Sequence, residues 1–293
     1  MIFVRSAKIW MVVCLSSLGV WIAYWVPTSV ERLYDFIFLR FENVIQYLGP
    51  MYFTMEVSAA VGTIIRSVGV VFGLLSIFFL SKKYRNFFDI RKYVAIALAV
   101  ECFYYATLFP SGLVMIGVGS RFLTSVPLGI SYLLQVLFTV PFLAVLAYKV
   151  YTYEKEPNGF KSWIWVGLAF VGYVVALWSN SVLRWLSMAS SEGISYLLTG
   201  STGVGFLSTA ILMSLAVVFS IIGGLKISKG RVNSSLIWIG LALSSIVLQY
   251  LIYVIYHYYY SMLSYVWLSD PWTVPLLGLG LILIWSRKKA RND

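Results

Sequence analysis

A chain of 293 residues that is 60% hydrophobic and only 11% charged cannot coat a water-soluble globule with polar groups, since soluble domains carry roughly 25% charged residues. Two cysteines, Cys14 and Cys102, and one histidine, His257, leave no material for a disulfide framework, a Cys/His metal cage, bis-His haem ligation or an HExxH zinc site. The formal net charge of +11 reads as membrane topology, and a nucleic-acid partner is disfavoured.

The apolar residues fall into runs long enough to cross a bilayer core of about 30 Å as helices. The pattern predicts an all-α integral membrane protein in one polytopic domain, with spans at 8–27, 56–80, 93–117, 127–150, 163–185, 203–224, 235–258 and 272–286. Connections are short, so no soluble domain is expected. Arg5 and Lys8 precede the first run as in a secretory signal, but the run continues over 9–26 with no small-x-small site after it, and reads as a retained anchor.

Thr28 and Glu31 have the capping-box spacing, which starts a helix over about 29–48. Glu31, Arg32, Asp35, Glu42, Asn43 and Gln46 share one arc of roughly 120° and apolar residues fill the other side, broken only by Arg40, so this helix is expected to lie at the outer membrane surface or across the mouth of the bundle. In the second span, Ser58, Gly62, Arg66, Gly69, Gly73 and Ser76 fall within about 40° of one line. Small residues in such a stripe let helices approach closely, which turns Arg66 toward protein.

The segment 82–92 interleaves Lys82, Lys83, Arg85, Arg91 and Lys92 with Tyr84, Phe87 and Phe88, a pattern suited to anionic lipid headgroups. Glu101 follows in the third span, with Ala97, Tyr105, Leu108 and Gly112 on its face and Tyr104 one position aside. The span limits put Glu101 and Arg66 roughly 7 Å apart in depth, within reach of an arginine side chain. Each charge costs a few kcal/mol in a membrane unless paired or hydrated, so the two are expected to pair, either to fix helix packing or to couple a proton or ion.

Further along, Ser131, Gln135 and Thr139 line up before Pro141, and Asn180 and Arg184 share a face. The glycine-rich stretch 200–205 lacks the Lys-Ser/Thr of a phosphate loop and reads as a flexible loop entering the sixth span. Ser245, Gln249, Tyr253, Tyr256 and Tyr260 form one stripe on the seventh, and the tyrosines around His257 suit an interfacial belt. No internal repeat is visible, the Gly-Val-Gly at 117–119 and 203–205 being too short to count.

Orientation follows the cations, because cytoplasmic loops retain lysine and arginine. With the N-terminus inside, the cytoplasmic segments hold 17 of the 22 basic residues. The outer ones hold Arg32, Arg40, Arg121 and Arg184 against six acids. The expected location is the cell membrane, multi-pass, with both termini cytoplasmic.

No lysine or aspartate lies deep in a span, which removes a Schiff-base anchor and the aspartate-rich motifs that hold metal-diphosphates. No cofactor or metal is expected, and enzymatic chemistry is disfavoured. The reading is a transporter or translocation-pore component, with Arg66, Glu101, Gln135, Asn180, Arg184, Gln249 and Tyr253 as the intramembrane polar residues of its path. The alternative is a non-catalytic transmembrane subunit of a larger membrane complex, in which the same groups only pack helices. A third reading, a lipid-processing enzyme, would need Arg184, Glu192 and Asp270 brought together by folding.

Overall fold

In a bilayer every backbone amide must pair within its own segment, and every element among the described residues is an α-helix. The computed structural model describes residues 91–118, 125–152, 160–195, 200–229 and 231–259, most positions between 57 and 78, and Val30 and Tyr34. The helices are α1 (Ala60–Gly73), α2 (Arg91–Ala106), α3 (Leu108–Val118), α4 (Ser125–Tyr151), α5 (Phe160–Glu192), α6 (Gly200–Ser228) and α7 (Val232–Tyr259).

Four stretches are long and apolar enough to cross a membrane: Arg91–Gly117, Gly129–Tyr151, Ile164–Leu183 and Gly205–Ser228. They coincide to within a few residues with four of the expected spans. Ala60–Gly73 and Ile237–Gln249 are shorter apolar helices inside two more. The expected spans 8–27 and 272–286 lie outside the described residues, as does 29–48 apart from Val30 and Tyr34, which are helical and exposed. These helices support a membrane protein, for their uncovered surface is apolar: Phe103, Leu137, Trp165, Leu168 and Ile211 are all more than half exposed, which suits acyl chains and not water.

Two compact units emerge. The first contains α1, α2, α3 as far as Val114, and α4 from Val140. α1 turns large apolar side chains outward and its glycines and arginine inward: Val61, Ile64, Val68 and Val71 are exposed, whereas Gly62, Arg66, Gly69 and Gly73 are buried. Between α2 and α3 the helix breaks at Thr107. Pro110 carries no N–H, so the Ala106 carbonyl four residues earlier loses its helical donor. The Thr107 amide is shared between the carbonyls of Phe103 at 3.2 Å and Tyr104 at 3.0 Å, and its hydroxyl donates to the Tyr104 carbonyl at 2.7 Å.

The second unit contains α4 before Val140, α5, α6 and α7. Here α6 packs on both α5 and α7. Its contacts with α5 run in antiparallel register: a Cβ on Gly167 would lie 2.6 Å from the Gly224 carbonyl oxygen, Trp178 Nε1 donates to Ser214 Oγ at 3.3 Å, and the rings of Trp185 and Phe206 meet edge to face at 5.6 Å. On the other side Gly223 receives Ile239 and Trp238, and the Lys226 ammonium sits 5.1 Å from the Trp238 ring centroid.

Two helix boundaries differ from the sequence reading. α5 runs for 33 residues to Glu192, which at 1.5 Å per residue is about 50 Å, and so takes in a residue read as outer loop. Gly193 stops it with φ of 89°, its amide bonding the Ala189 carbonyl at 3.0 Å; glycine tolerates that left-handed conformation without a Cβ clash. The stretch 200–205, read as a flexible loop, is helical from Gly200. Gly205 packs there, with the Trp185 ring 3.5 Å from the position a Cβ would take.

Candidate functional site

The polar seam of the first unit is built by the small residues of α1. A Cβ on Gly62 would lie 2.8 Å from Thr107 Oγ1 and 3.3 Å from the Tyr104 ring, and one on Gly69 would lie 3.0 Å from Val100. Only glycine allows an approach this close. Two residues before α1, Ser58 donates to the Thr107 carbonyl, so the residue at the break is bound by a side chain that leads into α1. The residues of α1 thus descend past 107, 104, 101 and 100 in antiparallel order.

Arg66 sits in the middle of this seam and donates through Nη2 to Glu101 Oε1. The two side chains are 1% and 0% exposed. Tyr104, one turn along α2 from Glu101, lays its ring under the guanidinium at 3.8 Å from Cζ, and Tyr105 meets Tyr104 edge to face at 5.4 Å. Carboxylate and aromatic face together hold the cation in a dry place, where charge pairing and cation–π attraction are stronger than in water. On α2, Cys102 turns to the Val140 carbonyl at 3.4 Å, which ties the segment carrying Glu101 to α4.

The span depths predict the Arg66–Glu101 pair, and it forms. Tyr104, placed one position aside in the sequence reading, is the third member. Its signal is the i, i+3 spacing from Glu101, which brings both to one side of α2.

The remaining expected site residues belong to the second unit. Gln249 on α7 is buried and its amide donates to Thr209 Oγ1 of α6 at 3.1 Å. Thr209 was not singled out from sequence, yet Gly205, Thr209, Met213, Ala216 and Ser220 are small or flexible residues at three- and four-residue spacing, and all are buried. Ser245, on the same stripe as Gln249, spends its hydroxyl on the Leu241 carbonyl at 2.9 Å. Tyr253 lies one turn beyond Gln249 on α7. Gln135 on α4 and Asn180 on α5 are both buried, and Arg184 follows Asn180 by one turn of α5.

The arrangement supplies the Arg66–Glu101 charge pair in the first unit and, in the second, buried amides and hydroxyls together with Arg184 on α5. Such groups can bind or pass a polar or charged species, and can equally hold helices together. No protein-family model, no curated protein and no solved structure matches the chain.

Proposed function

We propose that this chain is a transport or translocation protein of the cytoplasmic membrane, in which the Arg66–Glu101 pair is the charged element of the path and Gln135 and Gln249 line or gate it. The observation that carries this reading is the burial of an arginine and a glutamate between apolar helices. Ion pairs of this kind commonly contribute no more stability than well-packed apolar residues would. In membrane helices they mark ion and substrate paths.

In the full arrangement eight spans cross the membrane, both termini are cytoplasmic, and the helix at 29–48 lies on the outer face. The cations at the end of α6 and in the turn to α7, Lys226, Lys229 and Arg231, then meet anionic headgroups together with the 82–92 segment. Cysteines introduced as Lys83→Cys and Gly230→Cys are expected to react with an impermeant maleimide only from the cytoplasmic side. Reaction from outside the cell overturns this topology.

The test of transport is proton flux in proteoliposomes reporting through an entrapped pH-sensitive dye, with the double variant Arg66→Met/Glu101→Leu beside the native chain. The apolar pair keeps the helices packed and removes the charges. Under the transport reading flux is lost while the melting temperature is kept; unchanged flux, or none in the native protein, removes proton coupling.

A second reading, a non-catalytic subunit of a larger membrane complex, is favoured by the fit of the seam, since Gly62, Gly69 and Tyr104 enclose the pair as packing alone would require. Native mass spectrometry of gently purified protein separates the two. Bound subunits that persist in the Arg66→Met/Glu101→Leu variant support the scaffold, and a bare chain supports the transporter.

A further inference from the structure

Most hydroxyls on these helices bond locally. Those of Ser181, Ser208, Ser220, Ser228 and Ser245 each donate to a carbonyl three or four residues back. Two behave differently: Ser131 and Thr139 of α4 are 0% exposed, and neither hydroxyl has a hydrogen-bond partner among the described residues. A buried hydroxyl left without a bond keeps its full desolvation penalty, and buried polar groups in native proteins meet a protein atom or an ordered water.

Between them, at four residues from each, stands Gln135, 3% exposed. Residues four apart on a helix have Cβ atoms about 5–6 Å apart. A water hydrogen-bonded on both sides at about 2.8 Å spans the same distance. The glutamine amide offers two donors and an acceptor, so it can bond toward Ser131 on one side and Thr139 on the other.

We infer that Ser131, Gln135 and Thr139 hold an internal file of water, with one molecule in each of the two gaps and the Gln135 amide joining them. Eight residues of helix cover about 12 Å, too far for all three side chains to converge on one ion. The donors carry no charge, so nothing in the stripe selects a cation over water. The file stands whether or not the Arg66–Glu101 pair takes part in transport, because all three residues belong to the second unit.

The test uses the full chain in liposomes, with Cys14 and Cys102 replaced by alanine, and follows by infrared the exchange of S–H for S–D in heavy water at Ser131→Cys, Thr139→Cys and Leu137→Cys. Leu137 is 63% exposed on the apolar surface. The probe is water itself, so the two stripe cysteines are expected to exchange faster than Leu137→Cys by about tenfold or more. Exchange at the stripe no faster than at Leu137→Cys overturns the inference.

Where the cysteine variants do not fold, the shape-preserving Thr139→Val decides by sign. A hydroxyl bonded to water is missed when removed, and the melting temperature falls. If that hydroxyl is buried dry, the substitution relieves a penalty and the melting temperature rises, which also overturns the file.

Discussion

In the first unit two helices close on each other through glycine and enclose an ion pair; in the second, three long helices close just as tightly through glycine and enclose none that the described residues show. Gly167 and Gly224 bring the α5 and α6 backbones together beside Val171 and Ile227, and the polar contacts of these helices include Trp178 with Ser214, Gln249 with Thr209, and the Lys226 ammonium over the Trp238 ring. Close packing in this protein therefore does not require charge. Arg66 and Glu101 go beyond what packing needs, which is the strongest reason to look for work they do.

The largest expected effect breaks that comparison at the pair. Arg66→Ala or Glu101→Ala strands the other charge and should cost about 3–5 kcal/mol, read as SDS-induced unfolding in mixed micelles. The double apolar replacement should recover most of this loss; a double variant as unstable as either single one would show that the pair is needed for folding.

Next in size, Gly167→Ala forces a methyl to within 2.6 Å of the Gly224 carbonyl oxygen. Backbone cannot rotate away as a side chain can, so a loss of about 1–3 kcal/mol is expected. Gly172→Ala meets Phe138 at Cδ1, Cγ and Cβ, 2.4, 3.0 and 3.2 Å away; this is the near end of the side chain, which turning the ring does not clear, so a loss of about the same 1–3 kcal/mol is expected in the same assay.

A double-mutant cycle of Gln249→Leu and Thr209→Val should give a coupling of about 0.6 kcal/mol, the usual worth of a hydrogen bond between membrane helices. A value several times larger would make that amide as consequential as the ion pair. The smallest effect has the opposite sign. Gly205 has only ordinary contacts at 3.5 Å and beyond, so Gly205→Ala should gain about 0.5 kcal/mol from the backbone freedom glycine loses on folding.

Four of the eight expected spans were legible as long apolar helices, because an apolar run of span length has no other way to satisfy its backbone in a bilayer. The seam was legible too: Ser58, Gly62, Arg66, Gly69 and Gly73 make one stripe by spacing alone, and depth puts Glu101 beside Arg66. The break at Thr107 was missed, although Pro110 announces a lost bond at Ala106, because hydropathy is blind to a proline in an apolar run. Thr209 was missed since its partner Gln249 is 40 residues away and only folding supplies the register. The helical start at Gly200 was hidden by glycine itself, which marks a loop in sequence but stands inside α6 here.

The interruption at Thr107 has a mechanical consequence. A span with a proline one turn past a missing bond would ordinarily flex there, but Ser58 grips the carbonyl of Thr107, next to the one that lost its donor, and the Gly62 backbone packs close against the threonine side chain. α1 acts as a splint laid across a fracture. Opening the joint would break the Ser58 bond, and any slide of α1 along α2 would carry Arg66 past Glu101, which couples bending of one helix to parting of two charges.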